Sequence, residues 1–187
     1  MLRSSLHAND RMAPDETDDE MLVVSASNGD ASAFATLFDR YHDMIRAFAY
    51  RLCLAQSDAQ DIAQETFIKA ARSLASFRGR SSFRAWLYRI ATNTGRDWLR
   101  GKMRAEKLDA ALANETPHEE AAEGNPAVSE ALRALPENFR EAIVLTFYEG
   151  MNHAEAARVL GCAETTVSWR VFRAKRKLRQ LLSRNHE

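Results

Sequence analysis

The stretch NHAEAARVLGCAETTVSWRVFRAKRKL, running from Asn152 to Leu178, decides the fold. Asn152 and Glu155 stand at the spacing of an N-cap and N3, where side chain and backbone can satisfy each other at a helix start. That spacing predicts a short helix as far as Leu160. Gly161-Cys162-Ala163 supplies a tight turn, since glycine enters the left-handed region without a Cβ penalty. A longer helix is predicted from Glu164 to about Leu182. The result is helix-turn-helix geometry, with small Ala157 where the helices cross, Gly161 in the turn and Val167 facing inward. The second helix presents Thr166, Ser168, Trp169, Arg170, Phe172 and Arg173, followed by Lys175, Arg176, Lys177 and Arg179. Its early residues suit base edges in a major groove and its basic end suits phosphates. The bland alternative is a solvated basic helix closing a bundle; the agreement of cap, turn and charge favours DNA.

Working outward, helical patterning fills most of the chain. Upstream of the motif, Val128 to Leu135 reads as a helix. Pro136 then starts another, with Phe139, Ile143 and Phe147 in an apolar row as far as Gly150. Nearer the N-terminus a short helix is expected around Asp19 to Ala26, closed by Asn28-Gly29. Phe34, Leu37, Phe38, Tyr41, Ile45, Phe48 and Leu52 then recur at three- and four-residue steps, one face of a long helix beginning after Asp30. Ser57 and Gln60 have capping-box spacing, predicting a helix from Asp58 to about Leu74 that buries Ala63, Phe67, Ala70 and Leu74. After the Ser76 to Ser81 loop another helix buries Phe83, Leu87, Ile90 and Trp98 and ends near Gly101. With seven Gly and four Pro in 187 residues, the expected fold class is all-α, two small helical domains joined by a flexible acidic linker.

The boundaries expected are an acidic, disordered tail at 1–17, a first domain at 18–104, a linker at 105–126 and a second domain at 127–187. The linker carries Pro117, Gly124 and Pro126 and no apolar period. Fully extended it reaches roughly 75 Å, about two turns of duplex. Formal net charge is zero, but charge is segregated. Arg78 to Lys107 holds nine Lys or Arg against Asp97 and Glu106, a net +7. Arg170 to Glu187 holds seven against one acid, a net +6, while Asp109 to Glu130 has six acids and no Lys or Arg. The acidic linker could therefore cover the basic faces of the free protein.

Within the first basic block, Arg89, Asn93, Arg96 and Arg100 form one helical stripe beside Phe77, Phe83, Trp86 and Tyr88, with Arg78, Arg80 and Arg84 close by. Cations for a backbone and flat rings for unstacked bases suit single-stranded DNA. On these residues alone, core aromatics and solvating arginines explain the pattern as well. The preceding helix offers Asp58, Asp61, Gln64 and Glu65 before Lys69 and Arg72, which a helix dipole and a Glu65–Lys69 pair explain structurally. No His, Ser or Cys completes a catalytic constellation. Cys53 and Cys162 lie far apart with no zinc spacing, so no metal or cofactor is expected, and a reduced cytoplasmic setting fits. Met1 to Ala13 has no signal-peptide core and no apolar run is long enough for membrane insertion.

DAQDIAQETF (58–67) followed by FRGRSSFRAWLYRIATN (77–93) resembles region two of extracytoplasmic-function sigma factors of RNA polymerase. LPENFREAI (135–143), EGMNHAEAA (149–157) and VSWRVFRA (167–174) resemble their region four. The resemblance implies a non-enzymatic alternative sigma factor that binds core RNA polymerase, recognises a bipartite promoter and promotes its melting. It implies that Asp58, Asp61, Gln64 and Glu65 dock on the clamp helices of the largest polymerase subunit, and that the second domain meets the flap. It assigns Phe77, Arg78, Arg80, Ser81, Trp86, Arg89, Asn93, Arg96 and Arg100 to the single-stranded minus-ten element. A flipped base captured there costs a few kcal/mol, which pocket contacts offset. Thr166, Ser168, Trp169, Arg170, Phe172, Arg173 and Lys175 fall to the minus-thirty-five element in the major groove. An anti-sigma factor is a further implied partner. Trp169 departs from the family, which usually carries a small residue there, and Arg100-Gly101-Lys102 replaces a frequent Arg-Arg pair. The competing class is a helix-turn-helix regulator whose N-terminal domain senses a ligand or dimerises.

Overall fold

The computed structural model describes residues 16–109 and 126–184. Among these residues every regular element is helical: α1 (Glu16–Ser27), α2 (Ala31–Cys53), α3 (Gln56–Ser73) and α4 (Phe83–Asp109), then α5 (Pro126–Arg133), α6 (Glu137–Ile143), α7 (His153–Leu160) and α8 (Glu164–Arg184). The expected all-helical, two-domain fold is what the chain adopts.

Asp30 starts α2, its carboxylate accepting from the Ser32 hydroxyl at 2.7 Å and from the amides of Ser32 and Ala33 at 2.9 and 3.2 Å. These bonds hold its carboxyl below the ordinary value, the Ser32 hydroxyl foremost. The stripe read from the sequence is the core: Leu37, Tyr41, Ile45, Phe48 and Leu52 are buried, while Phe34 and Phe38 close its margin. α1 is pinned on α2 by a charged knot. Arg40 donates to Asp18 at 2.7 Å and to Asp19 at 2.5 Å, and the Tyr41 hydroxyl donates to Asp19.

Two boundaries differ from the sequence reading. α3 begins at Gln56, with Ala55 and not Ser57 at its N-cap. The cause lies upstream. Leu54 ends α2 in the left-handed region at φ 59°, its amide donating to Tyr50 O at 2.7 Å. The chain emerges extended at Ala55, whose carbonyl already accepts from Ala59 at 3.0 Å, so the helix is entered before Ser57. The buried row Ala63, Phe67, Ala70 and Leu74 is as expected. α4, secondly, runs through Gly101 to Asp109. A helical glycine costs only about 1 kcal/mol, and Lys102 bridges back to Asp58 at 2.7 Å across the site where the helix was expected to stop. Residues 105–109 are thus helix and Pro126 opens α5. The remaining linker, 110–125, and the tail, 1–15, lie outside the described residues.

α6 ends in one wide π-turn, Val144–Tyr148. Its extra residue per turn breaks the apolar row, leaving Phe147 exposed with the Lys175 ammonium 4.4 Å from its ring centre. The two domains are in contact. α4 packs on α7 and α2 reaches α6, and the buried apolar residues of both halves form one continuous cluster.

Candidate nucleic-acid interface

The helix-turn-helix is built as its sequence dictates. The Asn152 side chain accepts from the Glu155 amide at 2.9 Å and the Glu155 carboxylate accepts from the Asn152 amide at 2.8 Å. Gly161 turns at φ 67°, and Val167 is fully buried. On α8 the outward face holds Trp169, 53% exposed, and Phe172, 64% exposed, with Arg173 and Lys175. The Arg173 guanidinium lies 5.8 Å from the Trp169 ring centre, and the indole meets Phe139 edge-on at 5.5 Å. The other assigned positions sit nearer the turn. Ser168 Oγ lies 2.8 Å from His153 Nδ1 and donates to Glu164 O, half-buried Arg170 rests beside Cys162, and Thr166 is half-buried. α8 thus offers two bulky apolar side chains flanked by cations, able to meet thymine methyls, base edges and phosphates.

The first domain presents two further surfaces. Phe77, Phe83 and Trp86 form a contiguous aromatic group, with ring centres 5.2 to 6.3 Å apart. Phe83 belongs to the core, as the bland reading held, whereas Phe77 and Trp86 lie half-exposed on it. Arg78 and Arg80 are exposed around the turn at Gly79, φ 63°, with Ser81 half-buried beside them. Arg89, Asn93 and Arg100 face solvent along α4. Arg96, in the same stripe, does not. Its Nε and Nη2 donate to the two carboxylate oxygens of Glu141 at 2.6 and 2.7 Å. The second surface is a groove of about 930 Å³ between α3 and α4, lined by Asp58, Asp61, Gln64 and Glu65 with Ile68 and Trp98. Asp61 and Gln64 are exposed, Glu65 pairs with Lys69 at 3.8 Å, and Asp58 is held by Lys102. An acidic rim around an apolar floor can receive a helix bearing basic and apolar groups.

Sequence reading missed the polar joint between the domains. Glu149 is buried, receives the Tyr88 hydroxyl and lies 3.3 Å from Arg51; its backbone carbonyl accepts from Arg84 Nη2 at 2.5 Å. Burial raises its carboxyl above the ordinary 4.5, partly offset by Tyr88, Arg51 and Arg84. Glu141 is buried too, and the only hint in the sequence is a charge at the head of the apolar run Ala142 to Leu145. Among the described residues no group of three or more His, Cys, Asp or Glu is placed to hold a metal, and no helix is long and apolar enough to cross a membrane.

A helix-turn-helix with an exposed aromatic and basic second helix, tethered to a helical domain with its own basic stripe, defines a DNA-binding protein of two helical domains. Comparison with known proteins narrows the class. Residues 37–105 match the model of Sigma-70 region 2, and residues 126–178 match that of Sigma-70, region 4. The chain is 35% identical over 173 residues to the ECF RNA polymerase sigma-E factor of Haemophilus influenzae, covering 84% of this chain and 91% of that protein. It is 37% identical over 180 residues to the RNA polymerase sigma-H factor of Pseudomonas aeruginosa, covering 88% and 93%. The solved structure of CnrH in complex with the cytosolic domain of CnrY superposes with a TM-score of 0.70 at 34% identity, covering 89% of this chain and 97% of that one. RpoE in complex with the anti-sigma factor NepR from Bartonella quintana gives 0.69 at 30% identity, covering 80% and 96%. The chain belongs to the sigma-70 family and, within it, to the extracytoplasmic-function sigma factors.

Proposed function

We propose that this chain acts in the cytoplasm as an alternative sigma factor that binds core RNA polymerase, selects a bipartite promoter and opens it, with no reaction of its own. The carrying observation is that one chain holds an acidic–apolar groove, a basic–aromatic stripe and a separate helix-turn-helix, in the family's order. The groove at Asp58, Asp61, Gln64 and Glu65 takes the polymerase clamp helices, and the second domain meets the flap. Phe77, Ser81, Trp86 and Asn93 receive a flipped base of the minus-ten element, while Arg78, Arg80, Arg89 and Arg100 hold its strand, joined by Arg96 once it leaves Glu141. Trp169, Phe172, Arg173 and Lys175 read the minus-thirty-five duplex, with Ser168, Thr166 and Arg170 at its edge. The boundaries 18–104 and 127–187 for the two working parts, joined by 105–126, follow this division, with the helix of residues 105–109 continuing from the first. Two of the solved relatives are complexes with CnrY and with an anti-sigma factor, which supports a regulatory protein of that kind as a partner here.

The test is run-off transcription with purified core polymerase and a library of genomic fragments. Discrete transcripts that require the added chain are expected. A regulator using only its helix-turn-helix would add nothing to core alone, and that outcome would overturn the proposal.

A further inference from the structure

One hydrogen bond, between His153 and Ser168, joins the two helices of the helix-turn-helix, and its polarity bears on what the second helix can read. His153 opens α7. Its backbone is held by the turn before it, where Asn152 and Glu155 cap each other. Its half-buried ring reaches α8 and places Nδ1 2.8 Å from Ser168 Oγ. The same Oγ lies 3.1 Å from Glu164 O, one turn back on α8. A hydroxyl has one proton to give, and a carbonyl oxygen can only accept. Were Nδ1 bare, either it or Glu164 O would meet Oγ lone pair against lone pair. Both contacts close only with a hydrogen on Nδ1, so that the ring donates to Oγ and Oγ donates to Glu164 O. Ser168 is then left with one lone pair and no proton. It stands beside Trp169 and one turn before Phe172, both exposed, so a duplex that meets those two side chains comes within its reach.

We propose that Ser168 is a specificity-determining residue for an exocyclic amino group, the N6 of adenine or the N4 of cytosine, and that His153 is the positioning residue that makes it an acceptor. This deepens, and rests on, the reading that α8 lies in the major groove of the upstream element. Those amino groups are the donors displayed in that groove, whereas guanine O6 and N7 and thymine O4 only accept. An acceptor-only Ser168 therefore pairs with adenine or cytosine on the strand it faces. Guanine or thymine there sets one lone pair against another. Serine alone carries no such preference, because a free hydroxyl gives or takes.

The test uses the full chain assembled with core polymerase and the strongest promoter that run-off transcription yields, with its upstream element randomised. Bound fragments are sequenced for wild type, Ser168→Ala, His153→Phe and His153→Asn. Phenylalanine fills the place of the ring without a donor, and asparagine restores an N–H close to where Nδ1 stood. Ser168→Ala locates the base pair. At that pair wild type is expected to enrich adenine or cytosine over guanine and thymine on one strand by ~5-fold, His153→Phe to flatten the ratio to within about twofold, and His153→Asn to keep it. A bond that merely fastens α7 to α8 predicts a different result, in which His153→Phe weakens binding of every sequence and leaves all preferences unchanged; that result overturns the proposal. Guanine or thymine at the located pair overturns it even where His153→Phe does not fold, and so does a Ser168→Ala that alters no base pair. A wild type that selects no upstream sequence removes the major-groove reading and this inference with it. A selected sequence without the expected shifts removes this inference alone.

Discussion

Arg173 rests on the face of the Trp169 indole, and the indole is itself steadied by the edge of Phe139. A guanidinium stacked on a fixed ring has fewer rotamers to lose when it meets a base, and the ring adds an apolar surface for a thymine methyl. Trp169→Ser is therefore expected to cost about 1 to 3 kcal/mol against the best upstream duplex and to broaden base preference there. Selection from a randomised duplex pool measures both, and a wild-type preference would remove Trp169 from the specificity surface. Two glycines give opposite signs for one substitution. Gly161 sits at φ 67°, so Gly161→Ala should destabilise the protein by about 1 kcal/mol or more. Gly101 lies within α4, with nothing within 4 Å of an added Cβ. Gly101→Ala should stabilise by up to about 1 kcal/mol. Urea midpoints for the pair check both signs.

At the scale of elements, what was legible in the sequence was whatever local chemistry decides. The Asn152–Glu155 capping box, the Asp30 start and the five buried positions of the apolar stripe read on α2 needed only spacing and side-chain type. What was not legible depended on neighbours in space. The Ser57–Gln60 pair has the right spacing but is pre-empted by the left-handed turn at Leu54, and Gly101 fails to stop α4 because α3 supplies Asp58 to Lys102. The π-turn inserts a residue that no 3.6-residue period anticipates. Glu149, just beyond it, gives a pH prediction. Burial holds its carboxyl above 4.5, so the folded chain keeps that proton more tightly than the unfolded chain. Its stability contribution is present below the unfolded value and is lost as pH rises through the folded one; at neutral pH the ionised group is a net cost. Glu149→Gln carries the neutral form permanently and still accepts from Tyr88. It should exceed wild type in stability at neutral pH, with the margin shrinking as pH falls toward 4.5. Urea unfolding across that range measures the margin, and one independent of pH would refute the assignment.

At the scale of the molecule, a segregated charge map announced two basic surfaces and an acidic interval, and the resemblance supplied their division of labour. How the halves meet was not readable, because Arg96 and Glu141 are 45 residues apart and neither sits in a pattern that distinguishes an ion pair across domains from a solvated charge. That pairing makes a quantitative demand. If closure is one equilibrium, every partner that requires the domains apart pays the same conformational tax, since its apparent dissociation constant is the intrinsic one divided by the open fraction. On the proposed assignment core polymerase and single-stranded DNA touch different residues, the α3–α4 groove in one case and the α4 stripe in the other. Glu141→Gln lies in neither, yet it should tighten both by the same factor, on the order of 5- to 10-fold. Titrating labelled variant and wild type with core polymerase and, separately, with a mixed-sequence single-stranded 12-mer gives the two ratios. Equal ratios mark one shared opening step; a gain for the strand alone would mean that Glu141 merely competes for Arg96 and that the domains open independently of it.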